Sequence, residues 1–357
     1  MSIKRFTAQG FRCLGNIELE PDPDYTLIHG ANASGKTSLL EAFAYLGRGK
    51  SFRGAPTTNL IQHGEHEFVL FGQVEAAGRL VSVGVRNSRG GLEVRVDGDS
   101  SGGAAALAAA LPLQVIDPDV HNLVSGGPDE RRRFLDWLAF HVEPGYLALW
   151  RQFRRALKQR NAALKGGGNR GALSAWDREF CELGGRVDTA RQAVLAAALE
   201  TLREHGSALL GADIDFRYAS GWSRDRSLKE ALEDHFERDC VLGTTQVGPH
   251  RADLRLIYDE RQARRLVSRG QQKLLASAMI LAATEIAQTA LERPLLLLLD
   301  DPAAELDRVS LGRLMDRVAG LGSQVIATSL ERDESLFPAA PRVFHVEQGE
   351  LRAAVQG

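Results

Sequence analysis

A chain of 357 residues exceeds what one compact core ordinarily organises, so two lobes are expected. Its 44% hydrophobic and 25% charged content is that of a water-soluble globular protein, and a net charge of −2 excludes a uniformly basic nucleic-acid coat while leaving room for a local cationic face. Cys13, Cys181 and Cys240 form no C-x-x-C pair, which excludes a cysteine zinc ribbon and argues for a reducing compartment. No apolar signal core follows Met1–Arg5, and the uninterrupted apolar runs, Leu295 to Leu299 among them, are too short to span a bilayer; the expectation is a soluble, cytoplasmic protein without a membrane partner.

Short strands open the chain, at Ile3–Ala8, Ile17–Leu19 and Tyr25–Ile28, the first two broken by Gly10 and Gly15. Phe11-Arg12 falls in the first turn; Arg12 is a surface charge or, if geometry allows, a neighbour of a bound nucleotide. Next comes Gly30-Ala31-Asn32-Ala33-Ser34-Gly35-Lys36-Thr37-Ser38, which fits G-x-x-x-x-G-K-[ST], with an apolar run before it and a helix, Leu39–Leu46, behind it. Glycines let the backbone wrap a phosphate where a Cβ would intrude, and the helix N-terminus aims unpaired N–H groups at the anion. Lys36 would reach the β- and γ-phosphates of a bound nucleotide and the Thr37 hydroxyl would hold Mg²⁺.

Three strand-like runs, Phe68–Val74, Leu80–Val85 and Leu92–Val96, predict an antiparallel meander. Residues 101–110 read as a loop running into a short helix, followed by a buried strand, Leu111–Ile116, that carries Gln114. After the turn Ser125-Gly126-Gly127-Pro128, Asp129-Glu130 open a helix carrying Arg131, Arg132 and Arg133, a solvated face or a lobe junction.

Between Pro144 and Trp176 there is no acidic residue, while Arg151, Arg154, Arg155, Lys158, Arg160, Lys165 and Arg170 accumulate. Tyr146, Trp150, Phe153 and Leu157 recur at helical spacing, so one face is buried and the other cationic. Gly166-Gly167-Gly168 breaks this helix, and Leu173, Trp176, Phe180, Leu183, Val187, Ala190, Val194 and Ala197 alternate three and four apart as the seam of a helical hairpin. Gly184-Gly185 within it bends the helix or admits a close neighbour. Plain solubility and contact with DNA phosphates compete for the basic face, and so long an acid-free run favours DNA.

Strands Ile214–Tyr218 and Leu254–Tyr258 flank a helix near Leu228–Phe236, with Gly248-Pro249-His250-Arg251-Ala252-Asp253 between them; His250 reads as structural or positioning. Ser268-Arg269-Gly270-Gln271-Gln272 precedes an apolar helix, Leu274–Ile286. The buried strand Leu295–Leu299 ends in Asp300-Asp301, two carboxylates that are costly there unless paired or metal-bound, at the tip where ligands sit in parallel sheets. Asp300 is the natural Mg²⁺ partner of Thr37, and Asp301 a candidate to orient an attacking water. A helix Leu311–Leu321, a strand Gln324–Thr328 and a hairpin turning at Gln348-Gly349 complete the chain.

An early P-loop, the late Ser268–Gln272 stretch and the strand ending at Asp300, with a long insert between, resemble the ATPase heads of the ABC superfamily in its SMC-type repair branch. Pro118–Pro128 with Arg131-Arg132 and Phe134-Leu135-Asp136, Gly248–Leu254, and Asp300–Asp307 are similar to the RecF family and extend the resemblance over essentially the whole chain. The resemblance implies an α/β fold: an ABC-type P-loop ATPase head with an antiparallel side sheet, formed by 1–125 and 245–357, and a mostly helical arm, 126–244. It implies slow ATP hydrolysis coupled to binding of duplex and gapped DNA, an ATP-dependent homodimer, and work with RecR and RecO to help load RecA. Gly30, Ala31, Asn32, Ala33, Ser34, Gly35, Lys36, Thr37 and Ser38 would then hold the nucleotide. Ser268, Gly270 and Gln271 would belong to the signature facing the partner's γ-phosphate, Asp307 to the loop across the dimer, and Gln114 to the Mg²⁺ side. Arg131, Arg132, Arg151, Arg154, Arg155, Lys158 and Arg160 are the DNA-facing candidates. Two features depart from the superfamily: Asp301 stands where Glu is usual, and Ser329-Leu330 stand where a switch histidine is usual. An ABC transporter subunit is disfavoured by the basic arm and the long insert; a small-molecule kinase would leave the Ser268 stretch without a task.

Overall fold

The computed structural model describes residues 1–167 and 170–353, the side chains of 170, 172, 265 and 353 excepted. Gly168 and the Arg170 side chain therefore lie outside the described residues. In chain order the first elements are β1 (Ser2–Gln9), β2 (Ile17–Leu19), β3 (Tyr25–His29), α1 (Lys36–Arg48), β4 (Glu67–Ala76), β5 (Arg79–Ser88), β6 (Gly91–Val96), α2 (Gly103–Ala110) and β7 (Leu113–Ile116). The helical stretch holds α3 (Asn122–Ser125), α4 (Pro128–Val142), α5 (Tyr146–Lys165), α6 (Arg170–Leu210), β8 (Ile214–Ala219), α7 (Leu228–Leu242), β9 (Asp253–Tyr258), β10 (Arg261–Gln262) and α8 (Arg269–Leu291). The chain continues with β11 (Leu296–Leu299), α9 (Arg308–Gly320), β12 (Gln324–Ser329), β13 (Arg342–Glu347) and β14 (Glu350–Ala353).

Packing divides the chain into two units, Met1–Val120 with the stretch from Glu292 onward, and His121–Leu291. The sequence-based boundary at 245 differs from this division, because α8 packs along α6 and α4 and so clusters with the helical stretch.

In the first unit a six-stranded sheet runs β14-β13-β3-β12-β11-β7, parallel from β13 through β7. Its strands are apolar runs such as Leu296–Leu299, buried throughout, as a sheet covered on both faces requires. A five-stranded antiparallel sheet, β2-β1-β4-β5-β6, is the predicted meander completed by the N-terminal strands. Helix α1 shares one core with both sheets and is buried all round from Ser38 to Gly47. Phe43 of α1 stacks on Phe6 of β1 with ring centroids 3.9 Å apart.

In the second unit α5 and α6 form the predicted hairpin, and α6 runs for 41 residues without a break at Gly184-Gly185. Gly184 is there for proximity: a Cβ would stand 3.0 Å from Leu228 Cδ2 and 3.4 Å from Pro249 Cδ. Phe153, Phe180, Leu183 and Val187 close this small core with Leu228 and Leu232 of α7. Helix α8 is 23 residues long and apolar enough in composition to cross a bilayer, a feature that counting uninterrupted apolar residues overlooks; 67% of its apolar window is buried inside the fold, which identifies it as a core helix.

A phosphate corner and a cationic arm

The strand order places β12 between β3, which leads into the P-loop, and β11, which ends at Asp300. Two strand spacings are about 10 Å, a gap a metal–phosphate unit can bridge. The turn before α1 needs its glycines: Gly35 is left-handed with φ 115°, and a Cβ on Gly30 would lie 2.3 Å from the Val346 carbonyl oxygen. Ala33 accepts a left-handed φ of 62° within the same loop. The C-terminal hairpin braces the loop from behind, since the Gly349 N–H donates to the Ser34 carbonyl at 2.8 Å and the Gly15 N–H to the Gly349 carbonyl at 2.9 Å.

Lys36 Nζ curls back onto the loop, donating to the Gly30 and Ala31 carbonyls at 2.6 and 2.9 Å. Burial lowers its pKa, opposed by Asp301 and Asp300. The Ser34 hydroxyl is buried and has no partner, as expected of a loop shaped around an acceptor-rich group. Thr37 Oγ1 donates to Asp300 Oδ1 at 3.1 Å, so the structure brings together the hydroxyl and the carboxylate that the motifs single out for Mg²⁺. Burial raises the Asp300 pKa, and the Thr328 and Thr37 hydroxyls partly offset it; a carboxylate held so, facing a hydroxyl, fits a divalent cation that two protein oxygens and phosphate would share. Among the described residues no group of three or more His, Cys, Asp or Glu forms a closed metal cage.

Other candidates sit less simply. Asp301 has a left-handed φ of 47°, with its N–H donating to Thr328 Oγ1 at 3.0 Å. Arg12 is paired with Glu41, a fully buried residue of α1, which in turn accepts from the Ser51 hydroxyl; Arg12 is thereby fastened to the P-loop helix. Gln114 is not at the metal corner. It pairs in register with Leu297, well short of the strand end, and its side-chain oxygen accepts from Arg48 at 3.1 Å. The three residue steps from Leu297 to Asp300 span about 10 Å of strand, and the Gln114 side chain is taken up by Arg48, so Gln114 stands apart from Asp300. The tip of β7 is Asp117, whose pKa rises to about 6 through burial and the charges of Asp119 and Asp300. Asp307 caps α9, accepting from the Val309 and Ser310 N–H groups at 2.9 Å each. Sequence reasoning missed Thr328, Glu41 and the Gly349 brace, all of which work across long sequence separations.

The Ser268 stretch, in the second unit, is a capped helix start. Gln271 N–H donates to Ser268 Oγ at 3.3 Å and Ser268 N–H to Gln271 Oε1 at 2.8 Å, the reciprocal pattern of a capping box. Ser268 is exposed, so its hydroxyl proton remains available.

Three of the DNA-facing candidates turn inward. Arg160 is fully buried, with ion pairs to Asp177 and Asp239 at 2.7 Å each and a bond to Thr245 Oγ1 at 2.8 Å. Arg131 is 4% exposed and holds Asp253 at 2.7 Å and the Gly126 carbonyl at 2.9 Å. Arg132 donates to the Ala252 carbonyl at 2.6 Å and to Asp129. A guanidinium spent on internal acceptors has little left for a phosphate, so these three are corrected to structural roles. The Gly248–Leu254 stretch is the other half of that knot: Arg191 donates to the Pro249 carbonyl at 2.7 Å, and His250 Nε2 contacts the Thr245 carbonyl at 2.9 Å. Burial pushes the His250 pKa down to about 4.

Arg151, Arg154, Arg155 and Lys158 are exposed. With Lys165 they lie within an arc of about 100° on α5, opposite the buried Phe153, Ala156 and Arg160. Arg154 also lies 5.2 Å over the Trp150 ring.

A family model described as the RecF/RecN/SMC N terminal domain matches residues 2–351. A Pseudomonas fluorescens (strain SBW25) protein named DNA replication and repair protein RecF is 39% identical over 364 residues, 98% of this chain and 98% of its own length. A solved structure described as the recombination mediator protein RecF-ATP in the RecFOR pathway matches with a TM-score of 0.89 at 24% identity, covering 99% of this chain and 98% of that one. The Smc head domain of Pyrococcus furiosus, with an extended coiled coil, matches at a TM-score of 0.59 and 16% identity, covering 99% of this chain and 96% of that one. The structural likenesses establish a mixed α/β ATPase-head fold; the full-length sequence likeness establishes more, and the chain belongs to the RecF family.

Proposed function

We propose that this protein is a DNA-binding ATPase of replication and repair, a recombination mediator whose grip on DNA depends on bound ATP. The observation that carries the reading is the Thr37–Asp300 contact of 3.1 Å beside a P-loop whose Lys36 folds onto its own carbonyls. With ATP present, Lys36 exchanges those carbonyls for the β- and γ-phosphates, and the loop N–H groups and the α1 N-terminus supply the remaining contacts. Thr37 and Asp300 would hold Mg²⁺, which would supply charge neutralisation of the phosphates. Asp301 orients the attacking water; its shorter reach than Glu accords with slow turnover.

Ser268 and Gly270 complete the cage on a second copy's γ-phosphate, so the intact triphosphate carries contacts that favour a dimer and ADP lacks them. The domains follow the same reading: a nucleotide head carries the P-loop and the signature, and an arm of α5 and α6 carries DNA on Arg151, Arg154, Arg155 and Lys158. The RecFOR pathway in the description of the solved structure supports RecR and RecO as partners, and the proposal extends to gapped DNA, to RecA loading and to the cytoplasm.

The test is sedimentation with ATP or ADP, with and without gapped duplex. Dimers form with ATP, dissociate with ADP, and are lost in Ser268→Arg while ATP binding persists. An affinity for DNA that ignores the nucleotide overturns the reading. Asp301→Asn binds ATP and dimerises but does not turn over.

A further inference from the structure

Thr328 is the penultimate residue of β12, the strand between the P-loop strand and the strand of Asp300, and it is fully buried. No P-loop motif calls for a hydroxyl at this place, and a buried hydroxyl needs partners. It has two. Oγ1 donates to Asp300 Oδ1 at 2.7 Å and accepts from the Asp301 N–H at 3.0 Å. Thr37 Oγ1 reaches the same Oδ1 at 3.1 Å. A hydroxyl has one proton, and here it is committed to the carboxylate, so the accepting lone pair is left for the peptide N–H and the hydroxyl has one orientation. The β-branched side chain on a strand is itself stiff at χ1. Asp301 at φ 47° is in the left-handed region, uncommon for residues other than glycine although Asp is among those that enter it most readily, and the Thr328 oxygen is the acceptor of its N–H there.

We infer that Thr328 is a positioning residue for the nucleotide site. Its single oxygen sets the rotamer of Asp300 toward Thr37 and pins the left-handed turn at Asp301. The metal carboxylate and the water-orienting carboxylate are thereby placed by one atom that touches neither substrate nor metal. The inference rests on the reading of Asp300 as the Mg²⁺ carboxylate.

The test uses the full chain with Thr328→Val, which keeps the shape and removes the hydroxyl, and Thr328→Ser, which keeps the hydroxyl. Nucleotide affinity is measured with a fluorescent ATP analogue across a Mg²⁺ titration, Mn²⁺ binding by electron paramagnetic resonance, and turnover separately. Thr328→Val is expected to need about tenfold more Mg²⁺ for half-maximal nucleotide binding, the effect of losing one hydrogen bond to a charged group. Its turnover falls, its affinity for nucleotide without metal stays unchanged, and Thr328→Ser restores the Mg²⁺ midpoint. A wild-type midpoint in Thr328→Val overturns the inference, as does a Thr328→Ser protein equally impaired. Asp300→Asn separates the two levels. If it leaves the Mg²⁺ midpoint unmoved, the reading of Asp300 fails and the inference with it; if it moves the midpoint and Thr328→Val does not, the inference alone fails.

Discussion

In the phosphate corner the charged groups marked by motif, Lys36 and Asp300, are both held locally, the first on the carbonyls of its own loop and the second by the Thr37 hydroxyl. In the arm, cations marked by composition divide. Lys158 is exposed, while Arg160, on the same helix, is fully buried between Asp177 and Asp239. A motif binds residue types to one local backbone path, so their location follows from the sequence. A basic run carries only an average, and the helix then distributes its members around 360° according to what the neighbouring helices offer.

The sharpest way to break this comparison is Arg160→Met. Removing one partner leaves the Asp239 carboxylate buried and uncompensated, and urea unfolding is expected to show a loss of about 3–5 kcal/mol. Lys158→Met, at an exposed position, should stay within about 0.5 kcal/mol of wild type. Equal effects would erase the distinction between the two residues.

Lys36→Ala comes next. Calorimetry should record a drop in nucleotide affinity on the order of 100-fold, as expected when charge-assisted bonds to phosphate are removed. Replacing Arg151, Arg154, Arg155 and Lys158 together by Gln should leave that affinity and the melting temperature alone. It should instead weaken DNA binding and flatten its log–log salt dependence by about 0.9 for each DNA phosphate that is no longer neutralised. Unchanged salt dependence would move the DNA surface elsewhere.

The smallest expected effect is a pH dependence. Burial holds His250 neutral, with its pKa lowered to about 4 from an ordinary value of about 6.5. The unfolded chain therefore takes up this proton first as pH falls. The stability from His250 is fully present above about pH 6.5 and is lost as pH drops toward 4. Melting temperatures followed downward from neutral pH should fall more steeply for wild type than for His250→Gln. Parallel curves would show that another group governs the acid limb.

Much of the fold was legible because its signals are local. The period of Phe153, Phe180, Leu183 and Val187 predicts the hairpin. The alternation of Phe68–Val96 predicts the side sheet, and the run Leu296–Leu299 predicts a central strand. What could not be read is what depends on register. Gln114 looked like a metal-side glutamine by type, yet pairing with Leu297 puts it partway down β7, against Arg48. Arg131 and Arg132 looked like a solvated face or a lobe junction, and instead they tie α4 to the start of β9 at Ala252 and Asp253 within the second unit.

By itself the chain of amino acids determined the P-loop, the paired carboxylates after β11 and the existence of a helical hairpin with a cationic side, because each is written in residues close in sequence or in a short period. Only the tertiary structure decided which arginines remain for a partner, that the Gly349 hairpin turn supports the P-loop, and that Thr328 joins Asp300 to Asp301. Those outcomes are fixed by strand register and by the pairing of buried charges, which weigh groups far apart in sequence against the cost of leaving them without partners.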